Sequence, residues 1–193
     1  MNKWIKKTTH ELFNRRTFSL IDIECYHPDK HISNSFFTLN TLDWTNVIAE
    51  TDKHRFITVQ QHRLGTDEIT IETPGGLIEL NELPEETASR ELLEETGYEA
   101  EEMHLLKKLS VNPAILNNYI YIFYAMRCKK IHDQKLDIAE DIEVLTFTRD
   151  EIADMLRRGV IHHSITVTAF YQFFLSKWSG VIGNESYLQK ILA

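Results

Sequence analysis

Short stretches in which apolar and polar residues alternate dominate this chain, and they read as strands. Thr17-Phe18-Ser19-Leu20-Ile21-Asp22-Ile23-Glu24-Cys25-Tyr26 alternates loosely, His27-Pro28-Asp29-Lys30 supplies a turn, and Ser35–Leu42 reads as a second strand. Together they predict a small antiparallel unit at the N-terminus, which must pack on something else because a lone hairpin is marginal in water. Further strands are predicted at 45–50, 55–61, 68–73, 103–111, 119–127 and 142–147; Phe56-Ile57-Thr58-Val59 is the most strand-like of the first three, and Tyr119-Ile120-Tyr121-Ile122-Phe123-Tyr124 is strongly β-like. The clearest helix is 84–96. Pro84 suits its first position, Glu85 and Glu86 complement its positive end, and Gly97 suits its left-handed close. Two later helices are expected, one capped by Asp150 and running to Gly159, the other capped by Ser164 and running to about Lys177. The last fifteen residues carry no pattern. Strands around one early helix, with helices at the end, make an α+β chain arranged as an α/β/α sandwich on a mixed sheet.

Composition narrows the function. With 193 residues, 42% hydrophobic and 26% charged, the chain can build one core plus a small appendage. Its net charge of −8 gives no help in binding nucleic acid or anionic membranes, so a phosphate substrate would need local cations. Cys25 and Cys128 make neither a disulfide framework nor a zinc pattern. The basic start Met1-Asn2-Lys3-Trp4-Ile5-Lys6-Lys7 lacks the apolar run of a signal peptide, and no segment reaches the roughly 20 apolar residues of a membrane span. A cytoplasmic protein with no membrane contact is expected.

The chemistry lies between Gly75 and Tyr98. On the predicted helix, Glu91, Glu94 and Glu95 fall three and four residues apart and so share one face, while Ala88, Leu92 and Leu93 turn the other way. Clustered carboxylates repel, and Arg90 alone cannot neutralise them. Hard oxygen ligands of this kind suit Mg²⁺, or Mn²⁺ as a substitute. An ordinary solvated acidic face would look similar. What separates the two is the pair Gly75-Gly76, which lets backbone approach a ligand just ahead of the glutamates.

At Gly76, Glu82, Arg90, Glu91, Leu92, Glu94, Glu95, Gly97 and Tyr98 the chain resembles the Nudix hydrolase signature G-x5-E-x7-R-E-U-x-E-E-x-G-U, where U is a bulky aliphatic. Every fixed position matches, and only Tyr98 departs, being aromatic. The resemblance covers roughly residues 45–178. It implies the Nudix fold, with Glu91, Glu94 and Glu95 and the backbone of Gly75 as metal ligands, and with Glu82 and Arg90 holding loop and helix together. Glu72-Thr73-Pro74-Gly75-Gly76-Leu77-Ile78-Glu79, the preceding Gln60-Gln61-His62-Arg63, and Pro113, sixteen residues after Gly97, resemble the ADP-ribose and nucleoside diphosphate sugar pyrophosphatases. That resemblance makes Arg63, Glu72 and Pro113 candidate substrate-binding residues, and it implies a homodimer through residues 1–43, with residues 44–193 as the hydrolase domain. In Asp137-Ile138-Ala139-Glu140-Asp141, Glu140 matches the family's further acidic residue, a metal ligand or water-orienting group. The family's second loop glutamate is Ile138 here, so the general base stays open among Glu140, Glu94, Asp137 and Asp141.

The expected reaction is Mg²⁺-dependent attack of water on the diphosphate of a small nucleoside diphosphate sugar such as ADP-ribose, with Glu94, Glu95 and Glu140 catalytic. Phe36 or Trp44 could stack on the base. Other Nudix substrates remain alternatives: dinucleoside polyphosphates, nucleoside triphosphates, or RNA 5′ ends, against which the negative charge counts. From another class, a catalytically silent nucleotide-binding regulator is the alternative, although such proteins usually lose signature glutamates. The adjacent His162 and His163 read as structural or surface residues.

Overall fold

The computed structural model describes residues 1–15, 17–177 and 180, in two compact units. The first comprises Met1–Asp43 and Leu109–Ile120. Its strands β1 (Ile5–Arg15), β2 (Phe18–His27) and β3 (Ile32–Thr41) form an antiparallel sheet in that order. On β2 the period-two set Ile21, Ile23 and Cys25 is buried, with Trp4 packed against it. Trp4 also meets Phe36 edge-on at 5.0 Å. Segment 109–120 joins through Leu39, whose N–H donates to Ile115 O at 2.8 Å.

No element was predicted before residue 17, yet β1 is there. Its side chains are exposed along its whole length, and its register slips between Lys6 and Thr8 and again between Glu11 and Phe13. A strand that buries neither face and is bulged twice keeps no alternation to read.

The second unit holds Trp44–Lys108 and the chain from Tyr121 onward. Its strands β4 (Trp44–Thr51), β5 (Arg55–Arg63), β6 (Glu68–Glu72), β7 (Tyr98–Glu99), β8 (Glu102–Ser110), β9 (Tyr119–Lys130) and β10 (Ile142–Thr148) form one seven-stranded sheet. The order is β10-β5-β4-β9-β7, with β6 on β5 and β8 on β9. Helix α1 (Pro84–Thr96) covers one face. Val47, Ala49, Ile57, Phe123 and Ala125 pack there with Ala88 and Leu92 of α1. Helix α3 (Ser164–Phe174) covers the other, where Phe56 meets Phe170 and Phe173 edge-on at 5.7 and 5.2 Å. Strands buried on both sides need near-continuous apolar runs, which is why 45–50 and 55–61 read so clearly. The expected fold class is found: a mixed sheet between helices, plus an antiparallel N-terminal sheet.

Helix α2 (Arg149–Arg157) is capped by Thr148 and not by Asp150. Thr148 Oγ1 accepts the Glu151 N–H, and Glu151 reaches back to the Thr148 N–H at 2.6 Å, a reciprocal box that Asp150 cannot make from inside the first turn. Cys25 and Cys128 are both buried free thiols. Among the described residues no helix is long and apolar enough to cross a membrane.

Candidate active site

The loop ahead of α1 is stitched to β4. Val47 N–H donates to Pro74 O at 2.8 Å, and Thr45 N–H to Gly76 O at 2.9 Å. Contact is close enough to exclude side chains. A Cβ on Gly75 would lie 2.1 Å from Thr45 O, and one on Gly76 would lie 2.3 Å from Glu91 Oε1. The glycine pair therefore does two jobs: it lets the loop lie against the strand, and it lets the Glu91 carboxylate lie against the loop.

Helix α1 then delivers the carboxylates. Pro84 occupies its first turn, Leu83 N–H donates to Glu86 Oε2 at 3.0 Å, and the helix closes at Gly97 with φ 75°. Glu95 is only 5% exposed, and its Oε2 accepts the Gly75 N–H at 3.0 Å. Burial pushes its carboxyl up to about 8; the Gly75 hydrogen bond opposes this, while the charges of Glu91 and Glu140 add to it. Burial also raises Glu91, against the pull of Arg90. Arg90 donates through Nε and Nη2 to both oxygens of Glu82, at 2.9 and 3.1 Å, and through Nη1 to Glu91 and Glu94, each at 2.9 Å. The guanidinium on Glu82 holds that carboxyl down to about 2. Glu82 also accepts the Glu79 N–H at 3.2 Å, so the Glu82–Arg90 fork ties loop to helix. Glu94 stays nearly half exposed.

Glu140 is exposed, in a turn where its Oε2 accepts the Asp137 N–H at 3.0 Å. Its charge reaches Glu91 and Glu95, which groups these three carboxylates electrostatically. Hard oxygens on mutually repelling carboxylates, two of them desolvated, have the donor chemistry that a divalent cation such as Mg²⁺ requires. Among the described residues no group of three or more His, Cys, Asp or Glu side chains is arranged so that it could hold a metal ion as it stands. The fit is therefore one of charge and ligand type. At Gly75 the contact that the structure displays is made by its N–H, on Glu95.

Arg63 and Glu72 meet on neighbouring strands. Glu72 is buried, and its oxygens accept Arg63 Nε at 2.7 Å and Nη2 at 2.6 Å, with Thr70 Oγ1 at 2.5 Å. Desolvation pushes the Glu72 carboxyl up, but Arg63 and Thr70 outweigh it and the net shift is downward. Glu72 is thus an internal counter-ion that aims Arg63, whose Nη1 has no protein partner among the described residues. Pro113 lies in the first unit, exposed in the turn where Ile115 N–H returns to Asn112 O at 3.0 Å.

Two cavities of the second unit share a wall. One, of about 380 Å³, is lined by Gly75, Gly76, Trp44, Thr45 and Asn46. The other, of about 1010 Å³, is lined by Glu140, Asp141, Gln61 and His162. Arg63 and His163 line both. Reading the sequence missed three groups here. His163 reads in the sequence as a structural or surface residue, and the buried Thr45 Oγ1 has no hydrogen-bond partner among the described residues. Gln134 Nε2 donates to Glu95 O at 2.7 Å and Ile142 O at 2.9 Å, tying the end of α1 to β10. None carries a signal in the sequence, because each gains its meaning from a residue distant along the chain.

A model of the NUDIX domain matches residues 42–170. Among curated relatives, a methanol dehydrogenase activator of Bacillus methanolicus is 35% identical over 124 residues, 64% of this chain and 67% of its own. An ADP-ribose pyrophosphatase of Bacillus subtilis (strain 168) is 30% identical over the same shares. Among solved structures, an ADP compounds hydrolase superposes with a TM-score of 0.79 at 20% identity, covering 90% of this chain and 93% of that one.

Proposed function

The chain belongs to the NUDIX domain family, and on that premise we propose that this Nudix pyrophosphatase cleaves the diphosphate of ADP-ribose and related nucleoside diphosphate sugars with Mg²⁺ as cofactor. The observation that carries the reading is Glu95. A carboxylate this buried, with the charges of Glu91 and Glu140 against it, is at odds with neutral pH until a cation joins it. The likeness to an ADP-ribose pyrophosphatase supports the substrate class.

Glu91, Glu95 and Glu140 would hold the metal, with Glu94 and the Gly75 backbone beside them. When bound, the metal would neutralise the diphosphate and acidify the attacking water. The chain's own residues would do the rest. Arg90 and Glu82 fix the helix against its loop, so that the carboxylates keep their spacing. Arg63, aimed by Glu72, offers its remaining N–H groups to phosphate oxygens. Water adds to one phosphorus, the bridging P–O bond breaks, and Glu140 or Glu94 takes the proton, giving a nucleoside monophosphate and a sugar phosphate.

The test is a hydrolysis screen with Mg²⁺ over ADP-ribose, GDP-mannose, UDP-glucose, diadenosine polyphosphates and nucleoside triphosphates. AMP and ribose 5-phosphate from ADP-ribose are the expected products. Turnover confined to triphosphates or polyphosphates would keep the hydrolase and reject the substrate. We take the three-stranded sheet of residues 1–43 to be a homodimer contact, because Phe13, Phe36 and Phe37 are 43%, 38% and 55% exposed on it. A monomer by sedimentation rejects that.

A further inference from the structure

We infer that His163 is a phosphate-binding residue, its Nε2–H donating beside Arg63 to a non-bridging oxygen of the substrate's diphosphate. The inference rests on the diphosphate substrate proposed above.

It begins with the buried hydroxyl of Thr166. Thr166 is 0% exposed, and its Oγ1 accepts the Thr73 N–H at 3.3 Å. Its own proton still needs an acceptor, and the hydrogen-bonding atom within reach is His163 Nδ1, at 3.0 Å. Glu72 Oε2 lies farther from Nδ1, at 3.5 Å, the outer limit of a hydrogen bond, so Thr166 is the nearer partner there. Satisfying Thr166 therefore leaves Nδ1 as acceptor and puts the ring proton on Nε2. Burial keeps the imidazole neutral, Arg63 and His162 adding to that effect while Glu72 opposes it, so the ring presents one donor and not a second cation.

Nε2 has no partner among the described residues, and His163 lines both cavities together with Arg63. Arg63 is in the same position: Glu72 holds Nε and Nη2, and Nη1 is left over. Two donors of different character thus share one wall, one charged and held by Glu72, the other neutral and held by Thr166. One cavity adjoins Gly75 and Gly76, and the other adjoins Glu140, so the wall stands beside the elements that carry the carboxylates. A dianionic diphosphate is the substrate group whose oxygens suit both donors.

The test uses the full-length protein with Mg²⁺ and α,β-methylene-ADP, whose P–C–P bridge resists cleavage, with binding read by calorimetry. Asn at 163 can keep an acceptor near Thr166 but cannot reach the position of Nε2. Gln at 163 carries an amide N–H to about that position. His163→Asn is expected to raise Kd for α,β-methylene-ADP about tenfold. It should leave the binding of adenosine and the melting temperature unchanged, and His163→Gln should restore most of the loss. Wild-type affinity in His163→Asn overturns the inference. So does an equal loss of affinity and melting temperature in both variants, which would make His163 only the cap of α3. If the wild type binds α,β-methylene-ADP in this way yet cleaves no diphosphate sugar, the substrate reading fails while the phosphate contact stands.

Discussion

The second unit assembles its site from two sources that differ in sign and in sequence span. Apart from Glu140, the acidic side, Glu82 to Glu95 with Gly75 and Gly76, is contiguous: one loop and one helix set its spacings. The cationic side is scattered, with Arg63 on β5, Glu72 on β6 and His163 at the start of α3. Helical geometry fixes the first with little tertiary help, whereas the second exists only once β5, β6 and α3 are packed. The acidic side should therefore govern chemistry, and the cationic side should govern affinity and stability together.

The largest effect tests the acidic side alone. Glu95→Gln should lower turnover by about 10³-fold or more, because metal stabilisation of the transition state is worth several kcal/mol. Stability should move the other way. The folded Glu95 carboxyl is raised from the ordinary value to about 8, so the metal-free native state binds more protons than the unfolded chain between those values. Metal-free wild type should thus lose stability as pH rises through that window. Glu95→Gln should not, and Mg²⁺ should restore the wild type. Melting curves against pH, with and without Mg²⁺, read this directly. A Glu95→Gln protein that melts earlier than metal-free wild type at pH 8 would mean that Glu95 is a structural residue.

On the cationic side, Arg63→Ala strands the Glu72 carboxylate in the interior. Removing one partner of a buried pair costs 3–5 kcal/mol, and Arg63 is half exposed, so about 3 kcal/mol is expected in denaturant unfolding. The pH signature has the opposite sign to that of Glu95. Glu72 is lowered in the fold, so its contribution is present above its ordinary value and is lost as pH falls through the folded one. Glu72→Gln should flatten that acid limb. If Arg63→Ala changes substrate affinity but leaves stability untouched, the pair is not the linchpin of the cationic wall.

The same split explains what could be read in advance. The Gly76-to-Tyr98 signature, the strand runs of β4 and β5, and the cap at Gly97 were legible because local spacing alone defines them. β1 was not, because a bulged and exposed strand carries no period. The cap of α2 shifted from Asp150 to Thr148, because a reciprocal box with Glu151 outcompetes a carboxylate already inside the turn. His163 reads as one of an adjacent structural or surface pair, and only its contact with Thr166 gives its ring a defined proton.

The smallest effect probes where the two sides meet. Thr45 lines the cavity beside Gly75, is 1% exposed, and its Oγ1 finds no partner among the described residues. A buried hydroxyl without a hydrogen bond costs about 1–3 kcal/mol, and valine has nearly its shape. If that hydroxyl serves nothing but the fold, Thr45→Val should stabilise the protein by up to about 1 kcal/mol and leave KM alone. If it is held ready for a substrate oxygen, Thr45→Val should still stabilise the free protein while KM rises a fewfold with kcat unchanged, the signature of binding lost equally from ground and transition states. We expect the first outcome, since Thr45 Oγ1 is sealed from the cavity and no substrate oxygen reaches it without a local rearrangement.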